Sequence, residues 1–313
     1  MSALFICVTP LHMLISKKII DEYQIKEPII IILAYQYNEK YHHYIAEIKN
    51  VTTKVFVINL SHLGGWRNVF SYLKVGLCTF NLRKIFFDKV FFASIDNKFV
   101  HLILSRVSFS HINTFDDGTA NIIQTSSYYK TEKESIRSIF SRMLMGIKYT
   151  REKIVALSEL HYTIYPKLEN IIANTIPINV FDPVNIDGFS QGKSIKIFLG
   201  QPYSELGIAF ERIEKFMKDN KIEYYYPHPR ERDVYNGVVY INSPKIAEEY
   251  IISELRSQRL EVYSIMSSSI LNLAGGDYKN LKLVTLCTPE LKRKYTSYYD
   301  LAAASHVSVG ELK

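Results

Sequence analysis

Short apolar runs alternate with segments of helical periodicity along most of this chain. Residues Ala3–Val8, Pro28–Ala34, Lys54–Asn59, Lys89–Ser94 and His111–Phe115 read as strands, each a nearly continuous β-branched, aliphatic or aromatic run. Strands apolar at successive positions are covered on both faces, as in a parallel sheet flanked by helices. Leu11–Tyr23 reads as a helix between the first two strands. Thr131–Gly146 places Ile136, Ile139, Phe140, Met143 and Leu144 at the spacing of one amphipathic helix face. A second series begins with the strand Ile195–Leu199 and the helix Ile208–Asn220. It continues through strand Ile222–Tyr226, helix Ala247–Leu255, strand Glu261–Ile265, short helix Ser269–Ala274 and strand Leu281–Leu286, and a last helix covers Glu290–Leu301. Such alternation predicts α/β units.

The periodicity lapses between Phe181 and Gly192, a stretch holding Pro183, Gly188 and Gly192. A linker at about 183–192 divides the chain into domains 1–182 and 193–313. Two Rossmann-like domains facing a cleft are the architecture expected. In open α/β sheets, ligands lie outside the carboxyl ends of the strands. That rule gives four polar motifs one kind of address. Asp116-Asp117-Gly118 follows strand 111–115, and Gly200-Gln201-Pro202 follows 195–199. His228-Pro229 follows 222–226, and Ser267-Ser268-Ser269 follows 261–265.

Composition narrows the classes. The 313 residues suffice for two buried cores, and 47% hydrophobic against 22% charged residues is globular. A net charge of +7 favours anionic partners such as nucleotide phosphates or an acidic membrane face. Lys and Arg are scattered instead of gathered, so nucleic acid is not an expected partner. Cys7, Cys78 and Cys287 lack the spacing of a disulfide framework or a zinc site, which points to a reducing compartment. The amino terminus has no basic region and is broken by Pro10, unlike a signal peptide. No apolar run approaches the roughly 20 residues a spanning helix needs. A cytoplasmic protein, soluble or peripheral, is therefore expected. Walker lysine, glycine-rich dinucleotide, serine-elbow and H-E-x-x-H patterns are all missing from the sequence.

Each motif admits a plain reading beside a chemical one. Asp116 and Asp117 suit an Asx turn with Gly118 at positive φ, a hard-cation site, or a carboxylate that removes a proton from a hydroxyl. His228 stands between Pro227 and Pro229, which present its ring rigidly, either as an interdomain contact or as an acid toward a departing phosphate. Ser267–Ser269 suits a helix cap or a phosphate seat. Glu248 and Glu249 suit a solvated helix start or contacts to ribose hydroxyls. Glu205 suits a helix-dipole partner or a carboxylate aimed at substrate.

Taken together, Cys7-Val8-Thr9-Pro10-Leu11, Phe115-Asp116-Asp117-Gly118-Thr119, Phe198-Leu199-Gly200-Gln201-Pro202, Tyr226-Pro227-His228-Pro229-Arg230-Glu231 and Ser267-Ser268-Ser269 resemble the bacterial lipooligosaccharide and capsule sialyltransferases of glycosyltransferase family 52. The resemblance spans nearly the full length. It implies a GT-B fold, CMP-sialic acid as donor, a galactose-terminated glycan as acceptor, and inversion without an essential metal or other cofactor. It also implies that His228 acts on the departing CMP phosphate, and that Ser268 and Ser269 hold that phosphate. Glu249 would reach the ribose, with Pro229, Gly200 and Gln201 lining the nucleotide site, and Thr9, Pro10 and Gly118 on the acceptor side. The base is Asp116 or Asp117 by likeness to related families, or Glu205 by likeness to the lipooligosaccharide enzymes, where an Asp is more usual. The same resemblance implies a homodimer, a contact with the inner membrane face, and a last helix able to pack back on the first domain. The other readings are a GT-B transferase using a different nucleotide sugar such as CMP-Kdo, and an inert nucleotide- or glycan-binding protein.

Overall fold

The computed structural model describes residues 1–60, 67–130, 134–181, 194–276 and 278–313. The linker expected at about 183–192 and the first turn of the helix expected from Thr131 lie outside the described residues. The chain separates into two compact units, Met1–Val180 and Phe181–Lys313.

In the first unit, β1 (Ala3–Cys7), α1 (Pro10–Glu22), β2 (Ile29–Ala34), α2 (Glu39–Lys49), β3 (Val55–Asn59) and α3 (Arg67–Cys78) lead into β4 (Phe86–Phe92) and α4 (Lys98–Leu104). β5 (Ser108–Phe115), α5 (Ile136–Leu144), α6 (Arg151–Leu157), β6 (Ser158–Thr163) and β7 (Thr175–Pro177) complete it. All these strands pair in parallel, in the order β3-β2-β1-β4-β5-β6-β7. Every residue of β1 is buried because it lies centrally, and Phe5 stacks on Phe91 of β4 with ring centroids 4.5 Å apart. The continuous apolar character of β1 and β2 thus has the cause expected for a doubly covered sheet.

In the second unit, β8 (Ile195–Leu199), α7 (Phe210–Asp219), β9 (Tyr224–Tyr226), β10 (Val239–Tyr240), α8 (Ala247–Glu254) and β11 (Leu260–Ser264) come first. α9 (Ser268–Ala274), β12 (Leu281–Cys287), α10 (Pro289–Lys294), α11 (Thr296–Ala304) and β13 (Ser308–Glu311) follow. Again all pairs are parallel, in the order β10-β9-β8-β11-β12-β13. Both sheets therefore reverse direction beside their first strand, between β1 and β4 and between β8 and β11. Reversals of this kind are the ligand-binding positions of doubly wound folds.

One expectation needs correction, and two further features add to the picture. The last helix does not run unbroken over 290–301: it divides into α10 and α11 at Tyr295, which carries φ −125° and ψ 40°. The amphipathic segment is helical over Ile136–Leu144 as expected, with Ile136, Phe140, Met143 and Leu144 exposed. Strand β13 was not expected from its short, mostly exposed sequence; backbone pairing with Val284–Cys287 of β12 holds it.

Candidate active site

At the reversal in the first sheet, side chains from three elements meet on Asp117. Thr9 caps α1, its hydroxyl accepting from the His12 N–H at 3.3 Å, and Pro10 opens the helix without needing a donor. This places His12 one turn in, fully buried. Its Nδ1 accepts from the Val8 N–H at 3.1 Å, so the proton of the neutral ring sits on Nε2, which donates to Asp117 Oδ1 at 2.8 Å. Asp117 Oδ2 accepts from the Ser94 hydroxyl at 2.9 Å and the Tyr128 hydroxyl at 2.6 Å. Burial opposes ionisation of Asp117, but the His12 ring and the Tyr128 and Ser94 donors outweigh it and hold the carboxyl at about 2. Asp117 keeps a side-chain exposure of 25%. Gly118, at φ +57°, makes the turn that follows.

Asp116 faces the opposite way. It is completely buried and accepts from His161 Nε2 at 2.9 Å, Thr163 Oγ1 at 2.8 Å, the Ile164 N–H at 2.7 Å and Asn170 Nδ2 at 3.1 Å. The alternation of side chains along an extended chain explains why two adjacent aspartates take such different surroundings. His12, Ser94, Tyr128 and His161 were not singled out from the sequence as site residues. Their aspartate partners lie between 11 and 105 residues away along the chain, and no regular spacing signals them.

The second unit gathers Gly200, His228 and the serine run at the ends of β8, β9 and β11. His228 Nδ1 accepts from the Arg230 N–H at 3.1 Å, which leaves the proton of its neutral ring on Nε2. Its own N–H donates to Glu231 Oε2 at 3.3 Å. Glu205, in a short 3-10 turn after β8, is 59% exposed and approaches Arg230 Nη1 at 3.4 Å. Gln201 is half-buried and Pro229 exposed. Ser267 caps α9, accepting from the Ser269 N–H at 3.2 Å, while Ser268 is exposed and Ser269 half-buried. Of the two acids on α8, Glu248 is buried and accepts from Asn272 Nδ2 at 2.6 Å, while Glu249 is half-buried.

The two sheets share one further feature. Ser94 follows β4 at φ +41°, and Met266 follows β11 at φ +52°. Each stands just beyond the strand across the reversal from its domain's first strand. A left-handed conformation costs a residue with a side chain about 1–2 kcal/mol, and such strain concentrates at ligand sites. Among the described residues, no group of three or more His, Cys, Asp or Glu side chains could hold a metal ion.

Comparison with solved structures agrees with this architecture. UGT73P12 from Glycyrrhiza uralensis, complexed with glycyrrhetinic acid 3-O-monoglucuronide, superposes with a TM-score of 0.56 at 9% identity, over 99% of this chain and 81% of that one. The glycotransferase of kitacinnamycin gives a TM-score of 0.50 at 6% identity, over 100% and 86%. Two Rossmann-like sheets with polar groups at their strand ends define the class as a GT-B glycosyltransferase fold. The chain belongs to glycosyltransferase family 52, whose model matches residues 26–290. A CMP-N-acetylneuraminate:beta-galactoside alpha-2,3-sialyltransferase of Pasteurella multocida (strain Pm70) is 32% identical, with 99% of each chain covered. An N-acetyllactosaminide alpha-2,3-sialyltransferase of Haemophilus influenzae is 29% identical over 95% of this chain and 97% of the relative. One of the same description from Neisseria meningitidis is 29% identical over 93% and 80%.

Proposed function

We propose that this protein transfers sialic acid from CMP-sialic acid to a terminal galactose of a bacterial surface glycan, lipooligosaccharide or capsule, forming an α2,3 linkage with inversion. The sugar C2–O bond to the phosphate breaks and CMP departs as a phosphate monoester. The acceptor hydroxyl attacks the opposite face of an oxocarbenium-like centre and loses its proton. Such a reaction needs a donor toward the leaving phosphate, a proton acceptor, and a donor-rich phosphate seat. The leaving phosphate oxygen can be served by an imidazole and serine hydroxyls, so an essential metal is not part of the proposal.

The observation that carries this reading is the fixed tautomer of His228. With Nδ1 engaged by the Arg230 N–H at 3.1 Å, Nε2 is the donor that serves the phosphate. Ser268 and Ser269 contact the same phosphate, Glu249 the ribose, and Gly200, Gln201 and Pro229 line the nucleotide. Thr9, Pro10 and Gly118 lie on the acceptor side.

For the base, the three carboxylates differ. Asp116 has four donors on two oxygens, and Asp117 has three and a carboxyl held at about 2. Both are poor proton acceptors, because hydrogen bonds to the ionised form lower its basicity. Glu205 is exposed and approaches only loosely the Arg230 side chain, whose residue also engages His228. We assign the base to Glu205. Steady-state rates of Glu205→Gln, Asp117→Asn and His228→Ala with CMP-sialic acid and lactose test the assignment. Wild-type turnover in His228→Ala removes the reading of that residue. A dead Asp117→Asn of unchanged stability beside an active Glu205→Gln moves the base to Asp117. Product NMR, with UDP- and GDP-sugars and CMP-Kdo as competing donors, tests donor and linkage.

We also propose that the enzyme works as a peripheral protein at the cytoplasmic face of the inner membrane. The support is chemical. Exposed Ile136, Phe140, Met143 and Leu144 line α5, and Phe70, Leu73 and Leu77 line α3, on a chain of net charge +7. Apolar helix faces on a basic protein suit an anionic lipid surface. No helix among the described residues is long and apolar enough to cross a membrane.

A further inference from the structure

Glu231 ends the Pro-His-Pro-Arg-Glu segment, and its carboxylate turns back toward the sheet. One oxygen accepts from the Tyr225 hydroxyl, the other from the His228 N–H at 3.3 Å. The Glu231 N–H in turn donates to the His228 carbonyl at 3.0 Å. His228 is therefore held by both of its backbone polar groups through a single residue. The anchor on the other side is rigid: the buried Tyr225 ring stacks on Phe198 of β8 at 7° between planes. Gly200 leaves the slot open. A Cβ there would collide with the Glu231 carboxylate and lie 2.7 Å from the Tyr225 hydroxyl.

We propose that Glu231 is a positioning residue for the transfer reaction, its carboxylate bridging Tyr225 and the His228 backbone from a slot that only glycine at position 200 leaves open. The proposal rests on His228 acting on the leaving phosphate, as argued above. Pro227 and Pro229 restrict the local dihedrals but leave the loop without an attachment to the sheet; the carboxylate supplies it. Tyr225, Tyr203, Tyr235, Asp233 and His228 are the titratable groups that face the carboxyl, while Arg230 reaches toward Glu205. Burial, with a smaller contribution from Asp233, pushes the Glu231 carboxyl up to about 7 against the Tyr225 and His228 donors. The ionised form accepts at both oxygens. Protonation weakens the bridge: the new O–H either displaces the His228 N–H or reverses the bond to the Tyr225 hydroxyl, and the charge that strengthens both contacts is lost.

Turnover should therefore fall as pH drops through about 7, with one proton taken up. The test compares wild type, Glu231→Gln, Tyr225→Phe and His228→Ala for kcat, donor KM, melting temperature and pH profile. Glutamine offers one acceptor where two are needed. Glu231→Gln should lower kcat by roughly 10–100-fold through misplacement of the ring, with donor KM and melting temperature little changed and the acidic limb gone. Wild-type kcat with the limb intact overturns the proposal. Should Glu231→Gln fail to fold, Tyr225→Phe decides. Loss of a donor to the ionised form should move the acidic limb to higher pH, and an unmoved limb overturns the proposal. His228→Ala separates the two claims. An inactive His228→Ala beside unaltered Glu231→Gln and Tyr225→Phe refutes the positioning role alone, and an active His228→Ala refutes the assignment beneath it.

Discussion

His12 Nε2 lies 2.8 Å from Asp117 Oδ1, and 105 residues of chain separate the two. The contact ties the first turn of α1 to the end of β5, across the reversal of the first sheet. With Ser94 and Tyr128 on the other oxygen, it makes Asp117 an organising group for three strand ends.

The pH dependence of stability follows from that clamp. Asp117 has its folded-state pKa depressed from 3.8 to about 2, so ionised Asp117 stabilises the fold above its unfolded value. That contribution is lost as pH falls through the window between the two values. Thermal melts at decreasing pH should show a shallower acid loss for Asp117→Asn than for the wild type.

Asp116→Asn should act on stability instead of turnover. An amide nitrogen in place of one carboxylate oxygen would face buried donors, at a cost of about 1–3 kcal/mol for each one left unpaired. Urea unfolding should register that loss, while the folded fraction keeps near wild-type kcat.

Removal of the His228 ring should reduce turnover by roughly 10²–10⁴-fold. CMP binding, measured by calorimetry, should weaken only in part, because the contacts proposed for Ser268, Ser269 and Glu249 remain. A binding loss as large as the rate loss would place His228 in ground-state affinity.

Phe140→Ser combined with Met143→Ser should release the protein from anionic vesicles in a sedimentation assay and leave lactose sialylation unchanged. If light scattering instead shows a dimer that these substitutions dissolve, α5 is a subunit contact. Treatment with EDTA is expected to leave the rate unaltered.

The alternation of apolar runs and helical segments was legible because parallel strands covered on both faces leave continuous hydrophobic runs, as in Ile29–Ala34. The positions of His228, Gly200 and the serines at strand ends were legible for the same reason: a change from apolar to polar marks where a strand leaves the sheet. Strand β13 and the break at Tyr295 were not, since pairing and packing with distant residues decide them. The Thr131–Gly146 pattern was legible as a helix but its surroundings were not, because hydrophobic periodicity reports that a helix has an apolar face and not what covers it.

By itself, then, the sequence determined two successive α/β series, the strand-end address of each polar motif and the family resemblance, all properties of residue type and order along the chain. Only the tertiary structure decided that Asp116 turns inward to four donors while Asp117 joins His12, and that Glu231 folds back through the space above Gly200 to hold His228. The physical reason is that a side chain's hydrogen-bond partners and burial set its chemistry, and those partners are assembled by folding from positions with no regular spacing.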